Sequence, residues 1–337
     1  MTTSWDIARE VGVTQSTVSR ALNGGPVAEG TRARILDAAA RRGYAVNAVA
    51  RGLVTSRSRL VGVVVADVTN PFYPELIEAI GTRLTATGRN MLLANVGNGD
   101  DEAHHVKLLL EHRVEGIIFT SAMANSVAVR RLAADGFPIV LTNREVDGID
   151  CDVIVGDNHA GAEAAAEHLL ELGHRRIALL TGQRCTSTSR DRETAFKARL
   201  RHAGVALYRR AEAGFDQQTA FEASITLLSE AKPPTAIMCV NDLMAFGALN
   251  AARHLGLNVP DDVSVVGFDD IPMASWDTFR LTTVRQPLSA MAQEAADALD
   301  RRITSPEPQP KRLVFPSELI VRQTTSQSGV SKAKGRN

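Results

Sequence analysis

Gln15, Ser16, Ser19 and Arg20 stand on the polar side of a short helical pattern whose other side is Val18, Ala21 and Leu22. A glutamine amide can pair with an adenine edge, a serine hydroxyl with several base edges, and an arginine fork with guanine or a phosphate. That is the chemistry of groove reading. A second set comes later: Asp67 and Asn70 in DVTNPF, Asn143 after PIVLT, Asp157 after DVIVG, Arg192 after TGQRCTSTS, Asn241 after IMCV and Asp269 after VVGF. Each follows an apolar run of strand length or the loop beyond one. Carboxylates, amides and an arginine around one crevice could exchange hydrogen bonds with the hydroxyls of a polyhydroxylated ligand. Phe72, Phe215 and Trp276 could supply flat apolar walls.

The first set needs a small helical unit. Thr3 can cap a first helix, with Asp6 placed to reach back to the cap amide. Ile7, Ala8 and Val11 form its apolar face and Gly12 ends it. Thr14 then caps the second helix, so two short helices meet at a tight glycine turn, a helix-turn-helix. A third helix over roughly 29–43 should bury Ile35, Leu36 and Ala39. Its cap position is Ala28, which has no side-chain acceptor and should cost about 0.5–2 kcal/mol relative to serine.

The second set needs a larger frame. From Leu60 the runs LVGVVVA, NMLLAN, EGIIFT, PIVLT, DVIVGD, RIALLTG, TAIMCV, SVVGFDD and LTTV alternate with amphipathic helical patterns. Continuous Val/Ile/Leu runs of this kind indicate parallel strands covered on both faces, here enough for two doubly wound sheets. Such sheets bind ligands beyond the carboxyl ends of their strands, where the polar set falls. The stretch TSPEPQPKR reads as an exposed loop before the strand LVFP. The tail from 326 is polar and basic and reads as disordered.

Net charge is zero over 337 residues, but it is unevenly spread. Residues 1–59 hold nine arginines against four acidic residues, so a basic head sits on an acidic body and a polyanion is expected at one end only. No apolar run approaches the roughly 20 residues that span a bilayer. Asp6, Arg9 and Glu10 occupy the place where a signal peptide would be apolar, which points to the cytoplasm and against an exported binding protein. Cys151, Cys185 and Cys239 have no metal-like spacing and read as buried free thiols. No cofactor, metal or membrane partner is expected. The loop after the first strand lacks G-x-G-x-x-G, and no G-x-S-x-G, P-loop or H-E-x-x-H occurs, which argues against an enzyme. His104 and His105 read as a solvated helix face, and His174 as a turn residue.

DIAREVGVTQSTVSRALNG and VAEGTRARILDAAARRGYAVNAVARGL resemble, almost position by position, the DNA-binding head of the lactose-repressor (LacI) family. DVTNPFYPEL, EHLLELGHRRIALLTG, NDLMAFGALNAARHLGLNVPDDVSVVGFDD and LTTVRQPL look like its effector-binding core, so the resemblance covers about residues 2–325. It implies a head over 1–46, a hinge helix and linker over 47–59, and a two-lobed core over 60–325 with the type I periplasmic-binding-protein fold. The N-lobe would take about 60–158 and 287–318, and the C-lobe about 159–286. It further implies base reading by Gln15, Ser16 and Arg20, and backbone contacts by Thr14, Thr17, Asn23 and Thr31. Asn47, Ala50 and Leu53 would face DNA from the hinge helix Asn47–Val54, Leu53 as a minor-groove wedge. Gly52 weakens that helix by roughly 1 kcal/mol, as suits one that folds only on DNA. Asp67, Asn70, Phe72, Asn143, Arg192, Phe215, Asn241, Asp269 and Gln286 would line the effector cleft.

The implied partners are a pseudo-palindromic operator duplex, a second copy of the chain and a small carbohydrate-like effector; the implied role is repression in a bacterial cytoplasm, with a ligand-dependent activator or a co-repressed regulator as the alternative. The short tail shows no heptad pattern for a tetramer. Two positions depart from the family pattern. Asn143, ahead of Arg144, stands where many sugar-responsive members carry Asp, and Ala195 stands where Gly commonly precedes the aromatic Phe196.

Overall fold

The computed structural model describes residues 2–22, 24–44, 57–97, 102–305 and 309–329. The chain forms two compact units, 1–59 and 60–337. Asn23, Asn47, Ala50 and Leu53, with the hinge segment Asn47–Val54, lie outside the described residues, as does the end of the tail from 330.

In the first unit, α1 (Ser4–Val11), α2 (Gln15–Leu22) and α3 (Glu29–Arg41) pack around Ile7, Ala8, Val11, Val18, Ala21, Ile35, Ala38 and Ala39. The Thr3 N–H donates to the Asp6 carboxylate at 2.9 Å while the Thr3 hydroxyl oxygen accepts from the Asp6 N–H, the reciprocal cap expected. Gly12 ends α1 at φ +72°, a backbone setting that glycine adopts without strain. Thr14 caps α2 through the Thr17 N–H, and Ala28 gives α3 no side-chain cap. Leu36 departs from expectation. It is half exposed, and Ala38 takes the inward place, because one helical turn after Ile35 is reached three residues on.

The second unit opens with β1 (Leu60–Val65), α4 (Phe72–Ala86), β2 (Asn90–Asn95), α5 (Glu102–Glu111), β3 (Gly116–Phe119), α6 (Val127–Ala134), β4 (Ile139–Thr142) and β5 (Asp152–Gly156). It continues through α7 (Asn158–Glu171), β6 (Ile177–Thr181), α8 (Ser187–His202), β7 (Arg209–Glu212), α9 (Gln217–Leu228), β8 (Ala236–Cys239), α10 (Asp242–His254) and β9 (Ser264–Val266). It closes with β10 (Thr283–Arg285), α11 (Leu288–Thr304), β11 (Arg312–Phe315) and β12 (Glu318–Ile320).

Two parallel sheets result, in the orders β11-β5-β4-β3-β1-β2 and β7-β6-β8-β9, while β10 and β12 pair antiparallel. In β1, Val61, Val63 and Val65 enter one apolar cluster and Val64 the other. Ile118, Val140 and Ile154 join the first face; Ile117, Phe119, Ile139, Leu141, Val153 and Val155 join the second. The period-two split accounts for the unbroken apolar runs, since helices cover both faces. Strand order reverses between β1 and β3 in one sheet and between β6 and β8 in the other, which is where such sheets open a crevice.

The tail begins ordered rather than disordered. The Ser328 N–H donates to the Leu172 carbonyl, and the Ser326 N–H donates to the Ser264 hydroxyl. His174 is fully inside, within 2.9 Å of Thr235 Oγ1 and 3.1 Å of both Ser264 Oγ and the Ser326 carbonyl, so it ties this segment down. Burial lowers its pKa and favours the neutral ring. Cys151 and Cys239 are buried, but Cys185 is exposed, contrary to expectation.

Candidate functional site

The head's polar face is pre-arranged. Gln15 Nε2 donates to Ser4 Oγ at 3.2 Å, and Thr14 Oγ1 lies 2.9 Å from both Ser16 Oγ and Thr17 Oγ1. Arg20 is exposed and folds back on its own helix, 3.4 Å from the Ser16 carbonyl and from Thr17 Oγ1. Thr31 is half-buried at the start of α3. Sequence reasoning missed how arginines hold this face in place. Arg32 donates to the carbonyls of Ala21 (2.8 Å) and Gly25 (2.6 Å), and Arg34 to that of Val11 (2.7 Å). Cations on the last carbonyls of α1 and α2 satisfy groups that no helix can pair internally and oppose the helix dipole. Arg41 and Arg42 are drawn to Glu10, so the head's positive surplus is not all available to a polyanion.

In the second unit, eight of the nine expected cleft residues line one cavity of about 440 Å³: Asp67, Asn70, Phe72, Asn143, Arg192, Phe215, Asn241 and Asp269. The volume falls in the range of roughly 300–1,000 Å³ typical of small-molecule sites. The ninth, Gln286, sits behind the lining and donates from Nε2 to Asp269 Oδ1 at 2.8 Å. Trp276 is no wall; it is 55% exposed and stacks on Phe279. Asp157 lies outside the lining as well and caps α7.

Several lining groups are committed to local structure. Asp67 Oδ1 accepts from the Thr69 N–H and hydroxyl, Asn70 Oδ1 from the Phe72 N–H, and Asn241 Oδ1 from the Met244 N–H as the cap of α10. Asn143 Nδ2 donates to the Thr120 carbonyl. Asn143, Phe215 and Asp269 all have positive φ (66°, 67° and 115°). Non-glycine residues held there cost of order 1–3 kcal/mol each and persist only where the surroundings fix them. Phe215 also needs Gly182 beside it. A Cβ on Gly182 would come within 2.7 Å of Phe215 Cε1 and closer still to Cζ and Cε2.

Arg192 is the most constrained group. Its guanidinium is buried over the Phe268 ring at 3.7 Å, donates to Asn158 Oδ1 (2.7 Å) and the Val240 carbonyl (2.6 Å), and lies 3.2 Å from Asp269 Oδ1. Burial lowers the Arg192 pKa. Burial also pushes the Asp269 carboxyl up to about 6, against the pull of Arg192 and Gln286. Asp242, inside behind this pair, accepts from Thr283 Oγ1 at 2.5 Å and the Ile271 N–H at 2.9 Å, and burial raises its pKa well above the usual range. Arg144 also lines the cavity, with Tyr73, Gln183 and Thr188, and was not among the expected lining residues. The lobes also touch directly: the Ala124 N–H donates to the Cys185 carbonyl, the Glu145 N–H to Ser187 Oγ, and Arg190 pairs with Asp147.

A helix-turn-helix unit joined to a two-lobed fold with a small-molecule cavity defines the class, a DNA-binding regulator. Residues 5–47 match the model for bacterial regulatory proteins of the lacI family, and residues 166–325 match the periplasmic binding protein-like domain. The HTH-type transcriptional regulator MalR of Streptomyces coelicolor is 36% identical over 95% of this chain and 96% of its own. The lac repressor dimer bound to operator and the anti-inducer ONPF superposes with a TM-score of 0.87 at 29% identity, covering 96% of this chain and 99% of that one. The transcriptional regulator CelR in complex with cellobiose gives 0.73 at 30% identity, covering 96% and 100%. The chain belongs to the LacI family and is a DNA-binding transcriptional regulator. Among the described residues no helix is long and apolar enough to cross a membrane.

Proposed function

We propose that the protein is a repressor whose operator affinity is set by a small polyhydroxylated effector bound in the cleft of the second unit. Two chains would pair and place two heads on a pseudo-palindromic operator. Gln15, Ser16 and Arg20 would read base edges there, and Thr14, Thr17, Asn23 and Thr31 would hold the backbone. Asn47, Ala50 and Leu53 would meet the minor groove at the operator centre. The observation that carries the cleft reading is the convergence of eight separately placed residues, from both sheets, on one cavity. CelR holding cellobiose in a related fold supports a carbohydrate-like ligand. The effector can shift operator affinity only by binding the two lobe arrangements unequally.

Selection from a randomised duplex library with the full chain tests the paired heads. Enrichment of an inverted repeat is expected, and enrichment of single, unpaired half-sites refutes the pairing. Adding sugars to the selected complex then reads the cleft: release or tightening of the duplex by a sugar, lost in Arg192→Gln, is the expected result.

A further inference from the structure

Of Gln15, Ser16 and Arg20, the residues expected to read base edges, the last two are held within their own helix or its cap. Ser16 Oγ lies 2.9 Å from Thr14 Oγ1, and Arg20 bends back to the Ser16 carbonyl and Thr17 Oγ1. Gln15 is held from outside. Its Nε2 donates to Ser4 Oγ at 3.2 Å, so the first residue of α2 is tied to the first residue of α1. Both ends of that bond are fixed. The reciprocal Thr3–Asp6 cap sets the opening turn of α1, and Ile7, Ala8, Val11, Val18 and Ala21 pack the two helices into one core. Gln15 is only half-buried, so it is held without being enclosed.

A glutamine amide carries two N–H hydrogens and one carbonyl oxygen. Free to swivel, it can offer the oxygen and one hydrogen to adenine, whose major-groove edge presents a donor and an acceptor. It can also offer both hydrogens to guanine, whose O6 and N7 only accept. With one hydrogen held by Ser4, the guanine option is closed and the adenine option stays open. We propose that Ser4 is a positioning residue that makes Gln15 a reader of adenine over guanine. Ser4 acts through Gln15 and needs no contact with the duplex. The brace also orders a long side chain before binding, which lowers the entropy lost on contact. This rests on Gln15 reading a base.

Selection from a randomised duplex library with the full chain, run side by side on the parent, Gln15→Ala, Ser4→Ala and Ser4→Thr, tests the proposal. Gln15→Ala marks the base position that Gln15 reads, as the one where the parent's preference disappears. The parent should select adenine there and Ser4→Ala should accept guanine too. In competition titrations the preference for adenine over guanine should fall about three- to tenfold, the scale of one net hydrogen bond. Ser4→Thr keeps the hydroxyl and should keep the preference. Alanine favours helix more than serine does, so Ser4→Ala should leave α1 formed and affinity for random duplex unchanged. A parent that selects any base but adenine at that position, or an unaltered preference in Ser4→Ala, overturns the proposal. An equal loss of affinity on selected and random duplex in Ser4→Ala overturns it as well, because that is the mark of a purely structural role. If Gln15→Ala alters no base position, the base-reading role on which the proposal rests is itself overturned.

Discussion

Asp269 offers the sharpest quantitative consequence of the cleft. Burial moves its carboxyl from the ordinary 3.8 to about 6, so the folded protein binds this proton more tightly than the unfolded chain does. That difference corresponds to about 3 kcal/mol. The sign follows from linkage. Below pH 4 both states are protonated and nothing is lost; as pH rises through 6 the fold must carry a buried carboxylate, and stability falls. About 2 of the 3 kcal/mol should disappear between pH 4.5 and 7.5. Asp269→Asn removes the titration and leaves a neutral group of the same shape. Asp242, Glu75 and Glu102 are raised by burial as well and slope in the same direction, so the informative quantity is the difference between variant and parent. Urea unfolding across that range should show the variant gaining about 2 kcal/mol on the parent as pH rises. Parallel profiles would refute the reasoning. At neutral pH the variant should still bind operator DNA but no longer respond to effector, because the ionised acceptor has been exchanged for a single carbonyl.

Four other substitutions probe the two units. Arg20→Ala should weaken specific duplex binding by about 1–3 kcal/mol if the side chain pairs with a base; an equal loss on random DNA in a competition titration would assign it to phosphate instead. Leu53→Ala should reduce operator bending, read by circular-permutation gel shift, with the second unit's unfolding unchanged; undiminished bending rejects the wedge. Gly182→Ala should cost about 1–3 kcal/mol of stability and loosen effector binding by displacing Phe215, and a variant with parental Tm and affinity contradicts the packing described. Arg32→Ala removes two charge-assisted bonds, to Ala21 in the last turn of α2 and to Gly25 in the turn after it, and should lower hydrogen-exchange protection there by about 1–3 kcal/mol, without touching the second unit.

The strands around the cleft were legible because a run buried on both faces must be continuously apolar, and strand ends in such sheets mark the ligand crevice. β7 and β12 were not, since RRAE and ELI at sheet edges carry no such run. Leu36 was misplaced because hydrophobicity alone does not fix helical phase, whereas the three-residue step from Ile35 to Ala38 does. Arg144 escaped notice for a backbone reason. Asn143, just before it, has φ +66°, a turn at which its own side chain and that of Arg144 both reach the cavity. Trp276 was misread for the converse reason: an aromatic near a strand end is only as inward-facing as its loop, and here the 3-10 turn Pro272–Ser275 turns it outward.

Gln286 has a position that links the cleft to the lobe crossings. The chain passes between the lobes near Gly156, near Arg285 and beyond Phe315, and these crossings pack side by side. Phe315 pairs with Gly156, the Asp157 N–H donates to the Phe315 carbonyl, and a Cβ on Gly156 would strike Gln286 Oε1. Gln286 donates its amide hydrogen to Asp269, and the Asp269 N–H donates to the Val284 carbonyl two residues before it. A ligand that competes for the Asp269 carboxylate therefore acts on a group already bonded to a crossing strand at two points. Glycine at 156 leaves no slack there, because any side chain would force Gln286 away. On the proposed reading, effector contact at Asp269 reaches the crossing strand through these two hydrogen bonds, and Gln286 supplies the one made by the carboxylate itself. Gln286→Ala should then preserve effector affinity to within a few fold while weakening the effect of the effector on operator binding. If affinity and response fall together in paired titrations, Gln286 serves only to support the site.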